Sequence, residues 1–507
     1  QRQMCIRDRL KLASNQQKKN MMKTINIISK TALIAGLVCL ASCNDYLVTY
    51  PSDSLESETA ITTPEDTKTA LNGAYAGLIS ARDAAGNNYY YYGTDFLARA
   101  EVGGDDMQTS KSGDRTEQYY RFTYRQTNAS ADLWYPPYTV INRVNVLLEA
   151  IDSGKVPMTD VTKNSKGEAL AIRALAHFDL LITYGAPYLK DNGASLGVPI
   201  VKKVLSATEL PARSTVAEGY QAVLDDLTEA LGFIGEDKNY GHFNIWAVKA
   251  LLARVNLYKG DYDAAYTYAT DVVENSPYSL IETGEYVASW QLEETKESIF
   301  DLALSSTTYS GDRELWGAVV SPAEYGSVIA TKEFVDLLNE DPNDVRLGLL
   351  IPDKSGSKQT VNKYPGRDAI TINNIRVLRL SDIYLIGAEA ALRKATVDQT
   401  VADNYLFAIR NRANRANVKI TATLDLVSKE RRKELVMEGH RLHDILRQGG
   451  EVTRQGGYHF LNATDLITVN WNDYRTIMPI PQAEIDANTN MIQNPEYNLS
   501  LIHISEP

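Results

Sequence analysis

The chain has 507 residues, a formal net charge of −12, and 44% hydrophobic, 23% charged and 9% aromatic residues. That composition excludes wholesale disorder and fibrous repeats, and the length allows roughly three domains. Residues 43–498 hold 44 basic against 62 acidic residues, net −18; such a surface repels phosphate backbones, so nucleic acid is not an expected partner.

The first segment, residues 1–20, reads as non-native leader. Met4-Cys5-Ile6-Arg7-Asp8-Arg9, like residues 499–507 at the other end, resembles a translated sequencing-library transposon end, an assembly scar outside fold reasoning. Residues 21–42 read as an export signal. Lys23 supplies the positive start, and 25–40 is mostly apolar, contains no acid, and is shorter than the roughly 20 residues of a membrane-spanning helix. It ends in Leu40-Ala41-Ser42-Cys43, small residues before a cysteine, followed by polar Asn44-Asp45. This pattern predicts lipidation at Cys43. The only other cysteines are Cys5 and Cys39, so the mature chain is expected to form no disulfide or thiolate metal site.

Residues 43–64 read as a polar tether with Pro51 and Pro64. Thr63-Pro64-Glu65-Asp66 predicts a helix start, with Thr63 as N-cap and acids at the positive end of the dipole. Apolar spacing predicts further helices over 138–151, 166–184, 216–231, 245–259, 262–274, 331–338, 380–393, 401–415 and 426–448. Many are alanine-rich on one face, which predicts close helix–helix contact. Strand signals are few and short, such as 298–304 and 475–480, so the class is mainly α.

Within 245–277, Gly260, Tyr262, Ala265, Ala269, Val272 and Pro277 match the small/large spacing of a tetratricopeptide hairpin, with 380–393 and 401–415 as a second pair. No regular 34-residue register runs through the chain. Long stretches at 82–133 and 278–322 lack periodicity. Loops of more than about 12–15 residues in a compact protein are commonly functional. Both are rich in Tyr and Trp, which argues against disorder.

The chain has 30 Tyr against nine Phe. Phe is the simpler core filler, whereas Tyr suits surfaces apolar at the ring and wet at the hydroxyl. Tyr89, Tyr90, Tyr91 and Tyr92 run consecutively, with Asp95 and Arg99 close behind; Trp290, Tyr309, Trp316 and Tyr325 serve the second stretch. Flat rings stack on the C–H faces of sugars while nearby acids and arginines bond hydroxyls, so these ten residues are the candidate ligand contacts. Packing of the same rings onto the helical body is the competing expectation.

No His-Glu-x-x-His, Gly-x-Ser-x-Gly, cysteine cluster or phosphate-cradling glycine loop is present, and no catalytic residue or cofactor is assigned. His440-x-x-His443 is a weak metal signal, read as part of a helix surface. Glu430, Glu434 and Glu438 fall on one helical stripe, with Arg431 and Arg441 three residues from Glu434 and Glu438. That motif reads as a structural ion-pair lattice.

Several blocks then resemble, in order, the SusD/RagB family of Bacteroidetes outer-membrane lipoproteins. They are Trp134-Tyr135 with Tyr138 and Ile141-Asn142-Arg143; Arg173-Ala174 through Tyr184-Gly185-Ala186-Pro187; Ala388-Glu389-Ala390; Glu430-Arg431-Arg432 with Glu438-Gly439 and Arg441; and Met478-Pro479-Ile480-Pro481 with Gln493-Asn494-Pro495. The resemblance covers essentially 43–498. It implies one SusD-like domain over 65–498, no catalysis, and a lipid anchor at the outer membrane. It also implies a SusC-like TonB-dependent transporter as partner, with an oligosaccharide, or a peptide in some relatives, as ligand. Ligand specificity would sit in the two aromatic stretches.

Overall fold

The computed structural model describes residues 61–83, 86–127, 132–454, 458–459 and 467–497. The expected leader and export segment, Cys43, most of the expected tether and the C-terminal residues 498–507 lie outside the described residues.

Sixteen α-helices and ten short strands are present among the described residues. Helix α1 (Pro64–Ile79) starts as its sequence predicts: Thr63 Oγ1 accepts from the Asp66 N–H, and the Asp66 carboxylate accepts from the Thr63 N–H. Helices α2 (Phe96–Val102) and α3 (Glu117–Arg121) are short. Helices α4 (Tyr135–Asp152) and α5 (Asp160–Tyr184) follow. Thr159 caps α5 six residues ahead of the expected start, and nearly every residue from Gly167 to Tyr184 is buried. Next come α6 (Val216–Ala230), α7 (Ile245–Lys259) and α8 (Tyr262–Asn275), then the single turns α9 (Ser306–Tyr309) and α10 (Trp316–Val320). The set ends with α11 (Lys332–Asn339), α12 (Leu380–Arg393), α13 (Gln399–Ala413), α14 (Leu424–Leu435), α15 (Arg441–Arg447) and α16 (Gln482–Ala487).

Packing follows chain order. Helix α1 lies on α4, α4 on α5, and α5 on α6. The hairpin α7–α8 leans on the hairpin α12–α13, with α8 against α12. Gly260 ends α7 with φ 84°, a left-handed turn that favours glycine. Small residues set the closeness of the second hairpin. A Cβ on Gly387 would lie 2.8 Å from ring carbons of Tyr405, and Ala388, Ala391 and Ala402 are fully buried between the helices. Tyr262 is only half-buried, with Arg393 5.5 Å over its ring.

The strands form five antiparallel pairs rather than a sheet. They staple loops to the helical body: β1 (Ala81–Arg82) with β2 (Asn88–Tyr89), β3 (Met107–Thr109) with β5 (Val328–Ala330), and β4 (Ser298–Leu302) with β8 (Ile375–Arg379). The others join β6 (Leu350–Pro352) to β7 (Gln359–Val361) and β9 (Glu451–Thr453) to β10 (Thr468–Asn470).

Two expected elements are corrected. The helix over 426–448 is two, α14 and α15. The chain turns between them where Met437 and Gly439 take φ 69° and 85°, and Glu101 fills the gap by accepting the N–H groups of Met437, Gly439 and His440. The strand at 475–480 is a 3-10 turn (Tyr474–Thr476) leading into a buried run with no ladder. Met478 donates its N–H to the Thr183 carbonyl at the end of α5.

The charged motif is a lattice, with partners other than those the helical spacing suggests. Glu434 accepts from Arg379 at 2.6 Å and Arg346 at 3.1 Å, and also from Arg412. Glu438 pairs with Arg379 and Lys363, both at 2.6 Å. Arg431 reaches Asp382 at 2.8 Å and Asp444 at 3.1 Å rather than Glu434, and Arg441 reaches Asp105 rather than Glu438. Burial alone would raise the Glu434 carboxyl, but the guanidiniums of Arg412, Arg379 and Arg346 hold it well below the usual range. His440 caps α15 and His443 lies within it, and both rings are buried, which pushes their pKa values down. No cluster of His, Cys, Asp and Glu suited to a metal exists among the described residues.

Candidate functional site

The four consecutive tyrosines divide two and two. Residues Tyr91–Asp95 form one π-helical turn leading into α2. The turn sends Tyr91 and Tyr92 inward, where their hydroxyls donate to Asp179 on α5 at 2.6 and 2.7 Å. Burial pushes the Asp179 carboxyl up to about 7, against the lowering effect of those two hydroxyls. Tyr89, held in β2 opposite Ala81, and Tyr90 are left half-buried at the surface.

Tyr89 and Tyr90 line a cavity of about 520 Å³ with Asn88, Thr94, Asp95, Ala98, Arg115, Thr116, Gln118, Tyr119, Asp132 and Glu314. Tyr89 leans on Tyr135, ring centroids 5.0 Å apart, and its hydroxyl donates to Asp83 at 3.1 Å. The Tyr90 hydroxyl donates to both oxygens of Asp312 at 3.1 and 3.2 Å. Burial, then the Asp312 charge, pushes it up to about 12, so it stays a neutral donor. Arg115 also lines the cavity, ion-paired to Glu314 and lying 4.3 Å over the Tyr325 ring. Arg313 sits 5.1 Å from the same ring, so Tyr325 acts as a backing for Arg115. Burial, then the nearby Asp132 charge, raises the Asp95 carboxyl well above the usual range. Asp132 itself is raised to about 6 by burial.

Of the ten candidates, Tyr89, Tyr90 and Asp95 line this cavity and Tyr325 backs it. Tyr309 is half-buried at the end of α9, where its carbonyl accepts from Thr371, and does not line it. Five others are corrected to core residues. Tyr91 and Tyr92 are taken by Asp179. Arg99 is 1% exposed and donates to the Thr476 carbonyl. Trp290 is buried under Arg376, Lys363 and Arg379 at 4.2, 4.6 and 5.6 Å from its ring. Trp316 is wholly buried, its ring edge-on to Tyr364. Large apolar rings fill the space under long loops, and burial rather than display is what their area favours.

The sequence reading missed Arg115, Tyr119, Asp132, Asp312 and Glu314. Arg115, Tyr119 and Asp132 belong to the first aromatic stretch, and Asp312 and Glu314 to the second. Membership of those stretches was the only available signal. The two stretches meet through the β3–β5 pair and the Tyr90–Asp312 bond. The cavity offers ring faces, an immobilised guanidinium, amides and carboxylates, groups suited to holding a polar ligand with flat apolar faces.

Residues 46–257 match a family described as starch-binding and associating with the outer membrane, and 353–497 match the SusD family. A SusD-like protein of Bacteroides ovatus is 27% identical over 368 residues, 62% of this chain and 64% of its own, so the aligned part spans under two thirds of that relative. The crystal structure of a putative sugar binding protein from Bacteroides vulgatus is 38% identical with a TM-score of 0.80, covering 87% of this chain and all of that one. A SusD superfamily protein from Bacteroides thetaiotaomicron gives 36% and 0.80, covering 85% and 100%. With two such whole-length likenesses and both family matches, the chain belongs to the SusD family.

Proposed function

We propose that this protein captures a neutral oligosaccharide at the cell surface and passes it to a SusC-like TonB-dependent transporter. In this reading residues 21–42 are removed, Cys43 carries the lipid, 43–64 tether the protein, and 65–498 form the binding domain. The observation that carries it is the cavity lined by Tyr89 and Tyr90 together with Arg115 and Glu314. Ring faces accept the C–H faces of pyranoses, while the carboxylates and amides receive and supply hydroxyl hydrogen bonds. The one cation in the lining, Arg115, is already paired to Glu314, which leaves an anionic uronate or sulfated glycan without a counter-charge there. The likeness to the Bacteroides vulgatus protein described as a putative sugar binding protein supports this reading.

The test is native affinity electrophoresis of the protein against a panel of neutral and acidic polysaccharides and of peptides. Retardation by a neutral glycan that Tyr90→Ala weakens at least tenfold is expected. Retention of peptides alone would replace the glycan with a peptide ligand in the same transport scheme. Undiminished glycan binding by Tyr90→Ala would remove the cavity from the reading.

A further inference from the structure

A second cavity, about 650 Å³, opens where α1 and the start of α5 meet the 233–243 connection, and shares no lining residue with the tyrosine cavity. Its floor is built. Glu168 is 3% exposed, yet its carboxylate accepts from the Tyr75 hydroxyl at 2.6 Å and the Asn164 amide at 2.7 Å, and meets His242 Nδ1 at 2.8 Å. Tyr75 and Asn164 are fixed in turn, each accepting a backbone N–H, from Phe243 at 2.8 Å and Gly235 at 3.0 Å. These bonds hold the floor in one arrangement before anything enters, which lowers the entropy lost on binding.

The Glu168 carboxylate accepts from Nδ1–H, which leaves Nε2 as the ring nitrogen available to a ligand. That nitrogen has no hydrogen-bond partner among the described residues, and the ring is partly exposed in the cavity wall. Phe233 supplies an aromatic wall, with the Lys166 ammonium 4.7 Å from its ring. The lining also holds the exposed amides of Asn72 and Asn239 together with Lys68, Lys163, Asp160 and Asp237. A phosphate would call for donors alone and an ammonium for acceptors alone. Donors and acceptors together beside an aromatic ring match hydroxyl groups, each of which both gives and receives.

We propose that this cavity is a second, independent binding site for a short neutral saccharide, with His242 Nε2 and the Asn72 and Asn239 amides bonding its hydroxyls and Phe233 meeting a ring face. It lets the protein hold one polymer at two points, or two chain ends at once. The proposal stands whether or not the tyrosine cavity binds the transported ligand.

The full-length protein, histidine-labelled and solubilised in detergent, is titrated with laminarihexaose, maltohexaose, cellohexaose and mannohexaose, following the His242 ring resonance assigned with His242→Gln. At least one probe is expected to shift that resonance in both the wild type and Tyr90→Ala. Its affinity there should fall at least tenfold in an Asn72→Ala/Asn239→Ala variant, whose changes touch only exposed side chains. Three results would overturn the proposal: no probe shifting the resonance, a shift lost in Tyr90→Ala, or affinity unchanged in the double variant.

Discussion

Tyr90 and Trp316 carry the same expectation in the sequence and opposite consequences in the fold. Trp316→Ala empties a wholly buried site, so it is expected to cost about 3–5 kcal/mol in denaturant unfolding, with ligand affinity of the surviving folded fraction retained. Tyr90→Ala removes a half-buried ring and its bonds to Asp312, and should lower affinity while costing about 1 kcal/mol. Asp179 gives a pH signature. Its folded pKa, about 7, lies above the ordinary 3.8, so its contribution to stability is full below 3.8 and is lost as pH rises through 7. Asp179→Asn has no such loss. Its stability relative to the wild type should therefore improve by about 2–3 kcal/mol between pH 5 and 8, read by urea unfolding at each pH.

At the scale of elements, Glu434 joins α14 to β8, α13 and the turn holding Arg346. Glu434→Gln leaves three buried guanidiniums short of charge and should cost about 3–5 kcal/mol. Because its carboxyl is held below the unfolded 4.5, its contribution is present above pH 4.5 and lost as pH falls, so the variant should also show a blunted acid transition. Gly439→Ala meets both a positive φ and a Leu97 methyl 2.8 Å from the new Cβ; a loss of about 1–3 kcal/mol is expected by thermal unfolding. This break shows where sequence legibility ended. Helices with a polar cap and an apolar stripe, such as those capped by Thr63, Thr215 and Thr331, were readable because the information is local. The Glu430–Glu434–Glu438 spacing continues a helical period across a break that Glu101, over 300 residues away, completes. Likewise, which tyrosines of 89–92 face outward is decided by Asp179 on a different helix.

For the whole molecule, the proposed lipid anchor and the proposed binding body make separable predictions. Cys43→Ala is expected to move the protein from the membrane to the soluble fraction of cells, read by fractionation, while leaving glycan affinity in solution unchanged. The net charge of −18 over residues 43–498 and an acid-lined cavity bear on selectivity rather than on fold. The hairpins α7–α8 and α12–α13 were each legible from small residues spaced as in a tetratricopeptide pair, whereas their packing on one another was not. The five stapling strand pairs were not, because pairs of two to five residues carry too little pattern to stand out.

The β3–β5 staple also governs time. Met107 pairs with Ala330, and Tyr90 bonds Asp312 across 222 positions, so the two walls of the cavity are strangers until most of the chain is present. Contacts this distant in sequence form slowly, after local helices. A polypeptide of which only the first 300 residues exist therefore has no assembled cavity, and any binding there becomes a readout of completed folding.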